Sequence, residues 1–297
     1  MNYFQKTMLL IAGIGMLACS CTDNTKNQTE KDDFKYLIDE FADIKVMRYQ
    51  VPGWDDLTLQ QKEYIYHLSE AAKYGRDIMW DQNFKYNLKI RKVLENILNN
   101  YEGDTGSTNY ADFLVYAKRV LFSNGIHHHY AEDKFIPTCS QEYFKGLMEA
   151  VGDGELCDEL LPVIFDPTLY PQRKYTGQDK DLLLASAVNF YDGVKKSEAQ
   201  RYYNKIRDTK DPRPISYGLN SKLVKRNGKI YEDVYKIDGL YGPAIAKIVE
   251  HLEKAMTVAE NDRQKDYTAK LIAYYKSGDL RLWDEYNVAW VQDTESD

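Results

Sequence analysis

Asn227-Gly228 constrains this chain more than any other pair of residues. It separates two segments, 219–226 and 229–237, that have strand-like composition. Both central positions of a type I′ turn need positive φ, and Asn followed by Gly meets that need at least cost. A two-residue connection leaves the flanking segments no choice but to pair antiparallel, so the fold contains a hairpin over 219–237. Nearly everything else repeats every three or four residues. The class that follows is α+β, predominantly helical, with a small antiparallel β portion.

The helical signals can be followed along the chain. Phe34, Leu37, Ile38, Phe41 and Ile44 fall at helical spacing and predict a first helix. Thr58 with Gln61 forms a capping box ahead of Ile65, Leu68 and Ala72. Ile90, Leu94, Ile97 and Leu98 mark another helix, ended by residues 99–104. Asn109 is the expected cap of a helix through Phe113 and Tyr116 to Leu121, stopped at Asn124-Gly125. Ser140 opens a short helix, and Ser197 with Gln200 suggests one through Tyr203. Asp211-Pro212-Arg213-Pro214 breaks that pattern before the hairpin. Pro243 suits the first turn of a helix whose buried face is Ile245, Ile248, Val249 and Leu252. One more helix runs from Asp262 to Tyr275.

Charge and composition narrow the function. With 39 Lys and Arg against 46 Asp and Glu, the net charge is −7, and basic residues cluster only in pairs such as Lys195-Lys196. Nucleic-acid binding, which rests on clustered cations, is not expected. The 25 Tyr, 10 Phe and 4 Trp exceed what a core requires and suit a wet, ring-lined surface for peptides or glycans.

Near the start, the apolar run from Met8 to Leu17 follows Lys6 and is too short to span a membrane. It leads into Leu17-Ala18-Cys19-Ser20-Cys21, a lipobox-like ending in which Cys19 or Cys21 would carry the lipid. Residues 1–21 are therefore expected to be a lipoprotein signal, 22–33 a flexible tether and 34–297 the folded part. The protein is expected to be exported and held at a membrane through its lipid alone, facing the periplasm or the cell exterior. Cys139 and Cys157 are expected to be unpaired buried thiols.

A search for catalytic motifs yields little. His127-His128-His129 is a candidate metal cluster, with Glu132 and Asp133 near enough to complete it, but adjacent side chains point in alternating directions. The expected reading is a polar loop after a helix end, with His and Tyr130 facing a cleft. His67 and His251 lack the second helical His that a zinc hydrolase needs. GxSxG and GxxxxGK[ST] sequences are absent. No catalytic residue is assigned.

Larger segments carry a resemblance. Residues 41–54, 122–137, 211–221, 241–243 and 290–296 together look like the Bacteroidetes branch of the dipeptidyl peptidase III family. That resemblance covers 34–296 and implies zinc exopeptidases that release dipeptides from oligopeptide N-termini, built as two lobes around a cleft. The family's zinc is held by HExxGH and EExxAD motifs on the second lobe, and neither occurs here. The chain therefore resembles a truncated first lobe, expected to mix helices with a small β-barrel, to bind no zinc and to be inactive alone. A second-lobe polypeptide is the implied partner, and oligopeptide the implied ligand. The resemblance places peptide contact at Asn124, His129 and Tyr130, and a bare apolar patch near Trp283 and Trp290. The competing reading is a non-catalytic exported lipoprotein that binds peptides or glycans.

Overall fold

A computed structural model describes residues 34–296. The expected signal, tether and lipid-bearing Cys19 and Cys21 lie outside the described residues. Two units are present. Among the described residues, the first comprises 34–40 and 45–50 and the second 41–44 and 51–296.

Residues 34–47 correct the sequence reading. Strands β1 (Leu37–Phe41) and β2 (Ile44–Met47) stand where a helix was expected. Ala42 takes a positive φ of 50° to make the turn, and Ala42-Asp43 carries none of the usual Asn-Gly or Gly signals. Leu37 and Ile38 are exposed. Their spacing therefore reports no buried helical face, and five apolar residues over so short a window fit either period.

The second unit is mainly helical. Helix α1 (Leu59–Asn83) begins at the expected capping box: Thr58 Oγ1 accepts from the Gln61 amide and Gln61 Oε1 accepts from the Thr58 amide. Helices α2 (Asn87–Asn100) and α3 (Thr108–Ser123) follow, then α4 (Gln141–Ala150), capped by Ser140 as expected, and α5 (Cys157–Phe165). The cap of α3 is Ser107, two residues before Asn109. On α3, Phe113, Tyr116, Ala117 and Val120 form one buried stripe. It meets Ile90, Leu94 and Ile97 of α2, Phe144 and Leu147 of α4, and Leu160 and Ile164 of α5 in the largest core.

The β portion is small. Beyond the short α6 (Leu182–Ala185), β3 (Tyr191–Asp192) lies parallel to β4 (Ser221–Arg226), which pairs antiparallel with β5 (Lys229–Val234) in the register Arg226 to Lys229. This is the expected hairpin, turned by Asn227 at φ 50° and Gly228 at φ 75°. The sheets have two and three strands, so among the described residues the implied barrel is reduced to these pieces. Helix α7 (Lys196–Ile206) starts ahead of the expected Ser197, because Glu198 Oε2 accepts the Lys195 amide and the Asp181 carboxylate accepts that of Lys196.

A second core joins α1 to α8 (Gly242–Thr257) and α9 (Asp262–Ser277) through Ala71, Ile245, Ile248, Val249, Leu252 and Ile272. Helix α10 (Leu280–Gln292) packs on α9, yet none of its residues is fully buried. Val288, Trp290 and Val291 are exposed there, while Trp283 packs against Tyr274 and Tyr286. Cys139 and Cys157 are buried free thiols. None of the described helices is long and apolar enough to cross a membrane.

Candidate functional site

The loop that leaves α3 is built from its backbone outward. Asn124 ends the helix in the left-handed conformation (φ 53°, ψ 42°), and Gly125 follows at φ 149°. Gly125 lies directly on Asn87: a Cβ there would meet Asn87 Nδ2 at 2.2 Å. Asn87 is fully buried, donating to the Trp80 carbonyl (3.2 Å) and accepting from the Ile126 amide (3.2 Å). One side chain thus terminates α1 and begins the loop.

The three histidines have three different environments. His127 is buried; its Nε2–H donates to the Tyr170 carbonyl (2.8 Å), and its Nδ1 has no partner. Burial pushes its pKa down to about 4, so the ring is neutral at physiological pH. His128 Nδ1 accepts from the Tyr130 amide (3.1 Å) and the Ala131 amide (3.0 Å), closing the tip upon itself. The His129 ring lies 4.8 Å from His128 and 4.3 Å from Tyr130, with Phe122 edge-on at 5.3 Å and Ser123 Oγ 3.2 Å from Nδ1. Partial burial, then the neighbouring His128 and Arg173, lowers the His129 pKa. Tyr130 projects from this stack, 84% exposed.

The return of the loop is held by charge. Glu132 sits at φ 69°, and its carboxylate takes a two-point contact from Arg173 Nε (2.7 Å) and Nη2 (2.9 Å). That contact holds the Glu132 carboxyl below its ordinary pKa. Arg173 also donates to Asn83 Oδ1 (3.0 Å) and to the His129 carbonyl (3.3 Å), while Asn83 Nδ2 donates to the Asn124 carbonyl (3.1 Å). Lys134 donates to the carbonyls of Val163 (3.0 Å), Asp166 and Leu169 (2.7 Å) around the end of α5.

Asn124, His129 and Tyr130 are therefore brought onto one ordered loop, with Tyr130 outermost. Zinc does not fit this donor set. Two of the three imidazoles already spend a nitrogen on the backbone, and Glu132 is taken by Arg173. Among the described residues no group of three His, Cys, Asp or Glu side chains could hold a metal ion. His67 and His251, read as isolated, face each other across α1 and α8 with ring centroids 6.2 Å apart. Asn83, Asn87 and Arg173 escaped the sequence reading because nothing local to them announces a partner on another segment.

Comparison with known proteins bears on the fold and the relatives of the chain. Residues 194–296 match the model described as Peptidase family M49. Dipeptidyl peptidase 3 of Rattus norvegicus is 22% identical and that of Homo sapiens 24%, each over 80% of this chain and 38% of its own length. The chain thus spans under two fifths of the relatives it matches. A solved structure of DPP III from Caldithrix abyssi superimposes with a TM-score of 0.51 at 16% identity, covering 82% of this chain and 35% of that one.

Proposed function

We infer that this chain, a relative of the dipeptidyl peptidase III proteins of peptidase family M49, supplies a peptide-binding lobe and no catalytic residues of its own. The carrying observation is Tyr130, 84% exposed at the crest of a loop whose backbone and charged groups are already engaged internally. An exposed ring on a rigid support offers contact area with little ordering cost. His129 and Asn124 extend this surface beside it, and an oligopeptide in extended form is the ligand that the relationship suggests.

Zinc-dependent release of dipeptides would need donors that the described residues lack, so hydrolysis is assigned to a zinc-bearing second lobe, whichever polypeptide carries it. The apolar residues Val288, Trp290 and Val291 on α10 are consistent with a surface built for a neighbour. The run Met8–Leu17 with Cys19 and Cys21 supports an exported, lipid-anchored protein. In the alternative, a non-catalytic exported lipoprotein, the same ring would bind peptides or glycans.

Titration calorimetry of the purified chain with unlabelled hexapeptides tests the reading. Saturable binding is expected, and Tyr130→Ala should weaken it about tenfold or more, as loss of an aromatic anchor does. Equal affinity in the variant would end the assignment. Added zinc should release no product from a dipeptidyl-naphthylamide above a metal-free control.

A further inference from the structure

We infer that Arg173 is the positioning residue of the loop, and that its single guanidinium fixes where Tyr130 is presented. The inference rests on the peptide-binding reading for its functional consequence, and on geometry alone for the positioning itself. Three points of the loop converge on this group. The exit is held through Glu132 by the paired contacts at 2.7 and 2.9 Å, and the crest through the His129 carbonyl at 3.3 Å. The entry is held through Asn83, which accepts from Arg173 Nη1 (3.0 Å) and donates to the Asn124 carbonyl (3.1 Å).

The anchor is itself anchored. The Arg173 amide donates to the Glu132 carbonyl (2.8 Å), and its own carbonyl accepts from the Val188 amide (3.0 Å). One residue beyond Val188, the Asn189 amide donates to the Gln82 carbonyl (2.8 Å), returning the connection to the end of α1 beside Asn83. The Arg173 and Glu132 side chains are only 16% and 21% exposed, so water competes poorly for either. Glu132 in the left-handed region needs such surroundings, because a non-glycine residue holds that conformation only when its neighbours impose it. Tyr130, being exposed, takes its position from the His129 ring 4.3 Å away and from the amides closed on His128.

Lysine cannot replace this group. A planar fork with five donors addresses a carboxylate, a carbonyl and a carboxamide at once, whereas an ammonium is one compact charge. Arg173→Lys should therefore keep the fold and charge but fail to restore the position. Asn83→Ala cuts only the entry tie and serves if Arg173→Met does not fold.

The experiment combines two measurements on the full chain: amide hydrogen exchange at Tyr130 and Ala131, and calorimetric affinity for a hexapeptide. Arg173→Met and Arg173→Lys should each speed exchange at these two amides and weaken binding about tenfold, the equivalent of one charge-assisted hydrogen bond. Exchange on α3 should stay unchanged. Unaltered exchange at Tyr130 and Ala131 in folded variants overturns the inference, even if Tyr130→Ala loses peptide. Faster exchange without any effect of Tyr130→Ala on affinity upholds the positioning role and overturns the peptide-binding reading instead. A uniform loss of stability, with both local exchange and affinity unchanged under native conditions, reduces Arg173 to an ordinary ion-pair partner and also overturns the inference.

Discussion

Asn124-Gly125 and Asn227-Gly228 are the same dipeptide put to two uses. Both asparagines take left-handed torsions, at φ 53° and 50°, and both glycines are positive, at 149° and 75°. At Gly228 an added Cβ would meet nothing within 4 Å, whereas at Gly125 it would strike buried Asn87 at 2.2 Å. In the hairpin the pair solves a torsional problem. In the loop it solves that problem and a packing problem together, because α1 and the loop must share one carboxamide. A turn signal in a sequence thus reports the torsion but not the closeness of what lies beside it.

The largest effect that this contrast predicts is at Gly125. Gly125→Ala should cost on the order of 3–4 kcal/mol, since it combines an unfavourable φ with displacement of a buried, bonded side chain. Chemical denaturation measures it. A cost no greater than that of Gly228→Ala would remove the packing half of the comparison.

Acid should separate the two regions as well. His127 lies under the loop with its pKa lowered to about 4 by burial. The folded state therefore favours the neutral ring, and the unfolded chain takes up its proton near 6.5. The resulting stabilisation is complete above about pH 6.5 and declines as pH falls toward 4, by up to about 3 kcal/mol. The hairpin, residues 219–237, contains no histidine; its ion pairs are Arg226 with Asp233 and Lys225 with Glu198. Hydrogen exchange at pH 7 and pH 4.5 should show loop amides losing protection before hairpin amides, and replacing His127 by Phe should flatten the loop's pH response. Equal loss in both regions would contradict the assigned cause.

At Gly228 the expected effect is smaller. Gly228→Ala should cost about 1 kcal/mol, a torsional penalty without a clash. A cost near that of Gly125→Ala would mean that the open surroundings at the turn are closed in solution.

These contrasts also explain what was legible in the sequence. The hairpin, the Thr58 capping box, the Ser140 cap and the buried face of α8 depend on neighbours within a few residues, and each is legible in the sequence. The first segment forms strands because its apolar residues share no buried helical face: Leu37 and Ile38 are exposed while Phe41 is buried. At the candidate site, Asn124, His129 and Tyr130 rest on family resemblance, and the structure adds only the contacts that hold their loop. Asn83, Asn87 and Arg173 act through partners up to 90 residues distant, as Arg173 does with Asn83. No local pattern encodes that separation. The pairing of His67 with His251 was hidden for the same reason, since α1 and α8 meet only in the folded chain.

The finest test replaces the asparagines themselves. Asn124→Gly and Asn227→Gly should each alter stability by less than about 0.5 kcal/mol, because glycine enters the left-handed region freely while gaining entropy when unfolded. The Asn83 contact to residue 124 uses the backbone carbonyl and survives the change. Stability therefore cannot distinguish the two positions, but peptide affinity can. The proposed reading assigns the Asn124 carboxamide to the ligand and gives Asn227 only a turn, so Asn124→Gly alone should weaken hexapeptide binding in calorimetry. Unchanged affinity in both variants would leave Asn124 as a helix stop and confine the binding surface to His129 and Tyr130.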